Sequence, residues 1–262
     1  MELNKLNLLA GDSIQITDWL SLRQPTIEEI RKYGEDEFYS TAWTLCSSPW
    51  DMPSMLDDVG IDFMQISEWD FFRILLTIVD PSKLQILMGD VNFQEFQPMK
   101  EHTSDGNEKV VLYRPSDQVV FDEDMYNTFI AYLRELIGFS HKGKKAANKA
   151  TAKIMIIDDR KERQRAAKKP KDNTSMIFDI ILSLVNTEEF SYTYETVFGL
   201  TLYQLMKSFI QIQGKKSACA LMQGSMSGFV DTKGIPSSDM TWTYSDDKYK
   251  PRGKKLVNNK TK

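Results

Sequence analysis

The sequence predicts an α+β protein, predominantly α-helical: an N-terminal helical domain with a small β-hairpin, a basic connector and a C-terminal helical domain. Three observations predict it. Apolar residues recur at intervals of three and four behind capping residues along most of the chain, the pattern of helices that bury one face. Strand-like runs are confined to residues 91–121, around an Asp105-Gly106 turn signal. Charge is segregated: the net charge of −4 conceals +9 over residues 142–171 and +7 over 248–262, so the rest of the chain carries −20.

Residues 8–22 alternate weakly through Ile14 and Ile16 and read as a strand or an extended arm. Pro25-Thr26-Ile27-Glu28-Glu29 opens a helix. Thr26 caps the unpaired backbone N–H groups, and Glu29, three residues on, completes a capping box. Ile27, Ile30, Tyr33 and Phe38 share a face, which carries this helix through Gly34 to about Cys46. Pro49 and Pro53 break it, and a short helix runs from Ser54 to Gly60. Ser67 caps the next helix, expected to bury Phe71, Phe72, Ile74, Leu75 and Ile78. Asp80-Pro81 restarts the helix after a bend, because proline suits a first helical turn and Asp its cap; Gly89 ends it. Strands follow at 91–96 and 109–113, with a third short one at 119–121. Asp122 then caps a helix through Tyr126, Phe129, Ile130, Leu133, Leu136 and Ile137 to Gly138.

Residues 140–150 are small, polar and basic, and read as a linker. Residues 149–169 form a helix that is apolar at one end (Ile154, Met155, Ile156, Ile157) and charged at the other, stopped by Pro170. The stretch 175–185 is nearly all apolar, and 201–213 repeats Leu202, Leu205, Met206, Phe209 and Ile210 at helical spacing. Between them the aromatic run 190–197 holds a short helix, and 218–226 adds a turn or two. From Gly234 onward Gly, Pro, Ser and Asp dominate, and 248–262 reads as disordered. The expected boundaries are therefore 1–139, 140–171, 172–243 and 244–262.

An apolar fraction of 41% with 11% aromatics is enough to build a core. Cys46 and Cys219 lie far apart with no CxxC or Cys/His grouping, so neither a disulfide framework nor a zinc site is expected. The N-terminus lacks the basic start and apolar core of a signal peptide, and no apolar run approaches the roughly 20 residues of a membrane span. The expectation is a cytosolic protein without cofactors.

Chemistry-bearing motifs are weak. His102 and His141 fall in expected loops with no partner marked for a triad or a metal site. The acidic groups Asp57-Asp58 and Asp122-Glu123-Asp124 sit at expected helix starts, where capping explains them better than magnesium or acid–base work. Asp158-Asp159 and Asp246-Asp247 repeat the pairing. Gly143-Lys144-Lys145 and Gly214-Lys215-Lys216 lack the spacing of a phosphate loop. The basic surface of Lys144, Lys145, Arg160, Lys161, Arg163, Arg165, Lys168 and Lys169 suits nucleic-acid phosphates or an acidic protein surface, the chain's own body included. Without interleaved aromatics for base stacking, the acidic surface or a solvated helix is favoured.

Several strings resemble a group of proteins from phages of Gram-positive bacteria, encoded with the tail genes and described as tail-assembly chaperones or tail-region proteins. They are PTIEEIRKYGEDEFYSTAWTLCSSPWDM (25–52), VGIDFMQISEWDFF (59–72), VVLYRPSDQVVFDEDMYNTFIAYLREL (110–136) and SLVNTEEFSYTYETVFGLTLYQLMKSFIQIQ (183–213), followed by GSMSGFVDTKGI and Trp242. The resemblance implies a non-catalytic helical protein of virion assembly that attends a tape-measure or tail-tube protein in the host cytoplasm. A structural component of the virion and a nucleic-acid-associated protein are the alternatives. Tyr192, Tyr194, Phe198, Leu202, Leu205, Phe209 and Ile210 supply the expected partner-binding surface, since they offer more apolar area than one helix pair needs.

Overall fold

The computed structural model describes residues 4–102, 108–140, 145–168, 175–227, 235 and 237–240. The chain starts with α1 (Lys5–Ala10) and a two-residue antiparallel ladder, β1 (Ile14–Gln15) against β2 (Ser21–Leu22). Helices α2 (Ile27–Tyr33), α3 (Glu35–Cys46), α4 (Pro53–Asp58), α5 (Glu68–Ile78) and α6 (Pro81–Met88) follow. Three antiparallel strands, β3 (Gln97–His102), β4 (Glu108–Arg114) and β5 (Val119–Phe121), form one sheet in sequence order. Then come α7 (Glu123–Ile137), α8 (Lys149–Lys168), α9 (Met176–Val185) and α10 (Leu202–Met226). The architecture is α+β and mainly helical, as the sequence predicts.

Helix starts are set locally. The side chains of Thr26, Ser67, Asp80, Asp122, Ser175 and Thr201 each accept a first-turn backbone N–H, and Thr26–Glu29 and Thr201–Gln204 are complete capping boxes. The two boxed starts are stitched together. Thr26 pairs with Thr201 in an antiparallel bridge, Ile27 N–H donates to Leu200 O at 2.8 Å, and Leu202 N–H donates to Pro25 O at 3.3 Å.

The largest core draws on both stretches that the sequence assigns to separate domains. Leu8, Leu22, Ile27, Phe38, Phe72, Phe121, Tyr126, Phe129 and Leu133 join Ile177, Leu184, Leu202 and Leu205 in one buried cluster. Its aromatic centre packs Phe72 against Tyr126 at 4.7 Å and Trp69 edge-on to Phe121 at 5.6 Å. The Trp69 indole N–H donates to Val110 O at 2.9 Å, fastening α5 to β4. A smaller cluster of Leu56, Phe63, Phe71, Leu75 and Ala152 seats α8 on α4.

Several local expectations are corrected. Residues 5–10 are helical, because the Asn4 side chain accepts Leu6 N–H and Gly11, at φ +85°, ends the turn. The helix expected over 25–46 is broken at Gly34, whose φ of +105° no helix accommodates. α4 begins at Pro53 rather than Ser54. Residues 91–96 form no strand: Phe93 and Phe96 turn into the core around a 3-10 turn, and the strand falls at Gln97–His102, which places His102 in β3. Ile78 is 68% exposed and Ile74 half-buried; Trp69 and Leu76 fill the core instead. The short helix expected within 190–197 is a 3-10 turn at Val197–Gly199, and Leu202–Met226 is one continuous helix. The Asp105-Gly106 turn, His141, the Pro170 stop, Asp246-Asp247 and the 248–262 tail lie outside the described residues.

Candidate protein-docking groove

α9 is the most apolar of the described helices, with the sequence MIFDIILSLV. Only Asp179 and Ser183 are polar, on one side, so the apolar surface is wider than a single core-facing stripe needs. Here Ile177, Ile180, Ile181 and Leu184 are buried, whereas Met176, Phe178 and Leu182 are exposed, Phe178 by 61%. The helix is held in that pose from its N-terminus. The Ser175 hydroxyl oxygen accepts Phe178 N–H at 2.9 Å, the Ser175 hydroxyl itself donates to Glu35, and Glu35 also accepts Ile177 N–H at 3.0 Å.

α9 therefore stands as a ridge with an apolar hollow on each flank. One is a groove of about 670 Å³, walled by Ile27 and Ile30 of α2, by Ile177, Phe178, Ile181 and Leu182 of α9, and by Tyr194 and Phe198. The other is a shallower dent of about 380 Å³ between Met176, Ile180, Met206 and Phe209, with Asp179 and Ser183 also in its lining. Two of the charged groups at the groove, Arg31 and Glu35, are engaged in structure. Arg31 holds Glu28 at 2.7 Å, and the hydrogen bonds from Arg31 and Lys32 pull the Glu28 carboxyl down to about 2. The Glu35 carboxylate caps α9. The groove offers mainly apolar area, which suits an amphipathic partner helix.

The expected partner surface divides. Tyr194 and Phe198 line the groove, and Phe209 lines the second hollow. Tyr192 is exposed beside Phe190, with ring centroids 5.3 Å apart. Ile210 is half-buried and borders neither hollow. Leu202 and Leu205 are corrected: both are buried in the main core, because the first turn of α10 faces α1 and α7. Sequence reasoning missed Phe178 and Leu182. The signal was present in α9, whose apolar residues cover about two thirds of the circumference, leaving only Asp179 and Ser183 polar, and so exceed what one core face can bury.

The basic surface divides as well. Arg160 donates to Asp57 at 3.0 Å and to Asp58 at 2.5 Å, and Arg163 reaches Ser54 Oγ at 2.9 Å and Asp58 at 3.4 Å. These arginines meet the chain's own acidic body. Asp57 and Asp58 accordingly sit at the end of α4, not at its start, and the capping role expected of them is corrected. Asp159 of α8 takes that role, accepting Ser54 N–H at 3.2 Å. Asp122 does cap its helix, accepting Met125 N–H at 3.0 Å. Lys145, Lys161, Arg165 and Lys168 are exposed; Lys144 and Lys169 lie outside the described residues.

Burial pushes the Cys46 thiol up to about 12. Among the described residues no group of three or more His, Cys, Asp or Glu is placed to hold a metal ion, and no helix is long and apolar enough to cross a membrane.

No curated protein and no solved structure matches the chain. Residues 168–245 match the family model of the YomV second domain, a span that includes α9, the 190–199 segment and α10. That family is phage-derived, of the Bacillus phage SPBc2 type, and the match supports a phage protein.

Proposed function

We propose that this is a non-enzymatic phage protein of tail assembly, which shields an apolar helix of a tape-measure or tail-tube protein in the groove beside α9 until the tube forms. It acts in the host cytoplasm. The observation that carries the reading is the exposed ridge of Phe178 and Leu182 beside a groove already walled by Ile27, Ile30 and Tyr194. Burying such side chains against a partner contributes roughly 1.5–3 kcal/mol each. The phage-derived family match and the tail-region resemblance supply the setting.

The test is co-expression with the tape-measure or tail-tube protein of the same phage, followed by pull-down across about 50–200 mM salt. A complex that survives the whole range and is lost on Phe178→Asp supports the reading. A complex lost in salt, together with tight binding of unrelated DNA, overturns it in favour of nucleic-acid association. Mass spectrometry of purified virions separates a transient chaperone from a structural tail component. Magnesium-dependent nucleotide or nucleic-acid hydrolysis that disappears on changing Asp122 and Asp124 would overturn the non-enzymatic assignment.

A further inference from the structure

α8 meets α4 with one face, and the chemistry along that face has an order. Ala152 and Ile156 pack into the small cluster around Leu56 and Phe63; one turn later Arg160 and Arg163 reach Asp57 and Asp58. α4 presents the complement: Leu56 in the cluster, then two carboxylates at its end. At about 100° per residue, the opposite face of α8 carries residues 154, 157, 161, 165 and 168. Ile154 is 58% and Ile157 49% exposed, and Lys161, Arg165 and Lys168 are exposed beyond them. The outer face repeats the inner one, apolar first and basic second, along the same helix.

We infer that this outer face is a second docking surface, and that its occupant is an acidic amphipathic helix of another protein chain, with apolar side chains followed within a turn by paired carboxylates as in α4. Charge complementarity selects an anionic partner, and the two isoleucines select an apolar one. Phosphate backbones give isoleucine nothing to pack on, and Asp158 borders the stripe. The surface shares no residue with the groove beside α9, so either assignment fails without the other.

The probe is a labelled helical peptide of about 16 residues, long enough to hold a helix, bearing two leucines and then an Asp-Asp pair. Its control replaces the acids with Asn and Gln. Fluorescence anisotropy with the full chain should show the acidic peptide binding at least about tenfold more tightly than the control. The pair Ile154→Ser and Ile157→Ser and, separately, the pair Lys161→Glu and Arg165→Glu should each weaken binding by about tenfold or more. Both variants should keep the circular dichroism of the parent, since these side chains face away from α4. Equal binding of the two peptides, binding insensitive to both pairs, tighter binding of a DNA duplex or of phosphatidylglycerol vesicles, or no binding at all would overturn the inference.

Discussion

Glu35, in the first turn of α3, accepts the backbone N–H of Ile177 at 3.0 Å, across 142 positions of sequence. The same carboxylate takes the Ser175 hydroxyl, so one side chain of the N-terminal half fixes the start of α9. Glu35→Ala removes both acceptors while Ser175 still caps Phe178. The expected loss is that of a helix cap, about 1–2 kcal/mol, a few degrees in Tm for a chain of this size. Thermal unfolding measures it, and hydrogen exchange should quicken first in α9. An unchanged Tm would show that α9 is held by packing alone.

The exposed ridge of α9 and the buried part of the expected partner surface should respond in opposite ways. Phe178→Asp removes an exposed ring and should abolish partner capture while leaving Tm within a degree or two, since surface changes usually stay within about ±0.5 kcal/mol. Leu205→Ala empties a site of 0% exposure in the main core and should cost about 2–5 kcal/mol. Denaturant titration beside the pull-down separates them.

Gly34 joins α2 to α3 at φ +105° and ψ +120°. An added Cβ would meet only Glu37 Cβ, at 3.8 Å, so space is not the constraint. The backbone conformation is, and Gly34→Ala should destabilise by about 1–3 kcal/mol. Gly34→Asn should cost about as much, because the tolerance of Asn for positive φ is confined mostly to the left-handed helical region and a ψ of +120° lies outside it. Equal stability of all three would contradict the backbone argument.

The contact of α8 with α4 should respond to acid and to salt. The hydrogen bond from Arg160, followed by the proximity of its charge and that of Arg163, holds the Asp58 carboxyl below the usual aspartate range. A depressed folded value means the stabilisation is present above the unfolded value and is lost as pH falls through the folded one, below about pH 4. The pair is exposed, so added salt should weaken it at neutral pH as well. Hydrogen exchange of α8, corrected for intrinsic rates, should accelerate on acidification below that range. Asp58→Asn should show faster exchange already at neutral pH and a smaller acid response. An α8 that exchanges identically in both proteins at every pH would refute the clamp.

What the sequence determined by itself was local. Thr26 with Glu29, Ser67, Asp80 with Pro81 and Asp122 announce helix starts, and Gly89 and Gly138 announce ends, because each acts on backbone groups within about four residues. The mainly helical class follows from those signals and the apolar spacing between them. Tertiary structure decided which apolar faces are covered. The pattern that marks Leu202 and Leu205 also marks Phe178 and Leu182, yet the first pair is buried and the second exposed. What covers the first pair is remote: Leu202 N–H reaches Pro25 O, and residues as distant as Leu8 and Phe38 share its cluster. Tertiary structure also decided which charges are engaged. Arg160 and Lys161 are neighbours in the sequence, but about 100° of helical turn sends one to Asp57 and Asp58 and the other to the opposite face. Periodicity defines the faces of a helix; which face is covered depends on residues a hundred or more positions away, and local spacing carries no record of them.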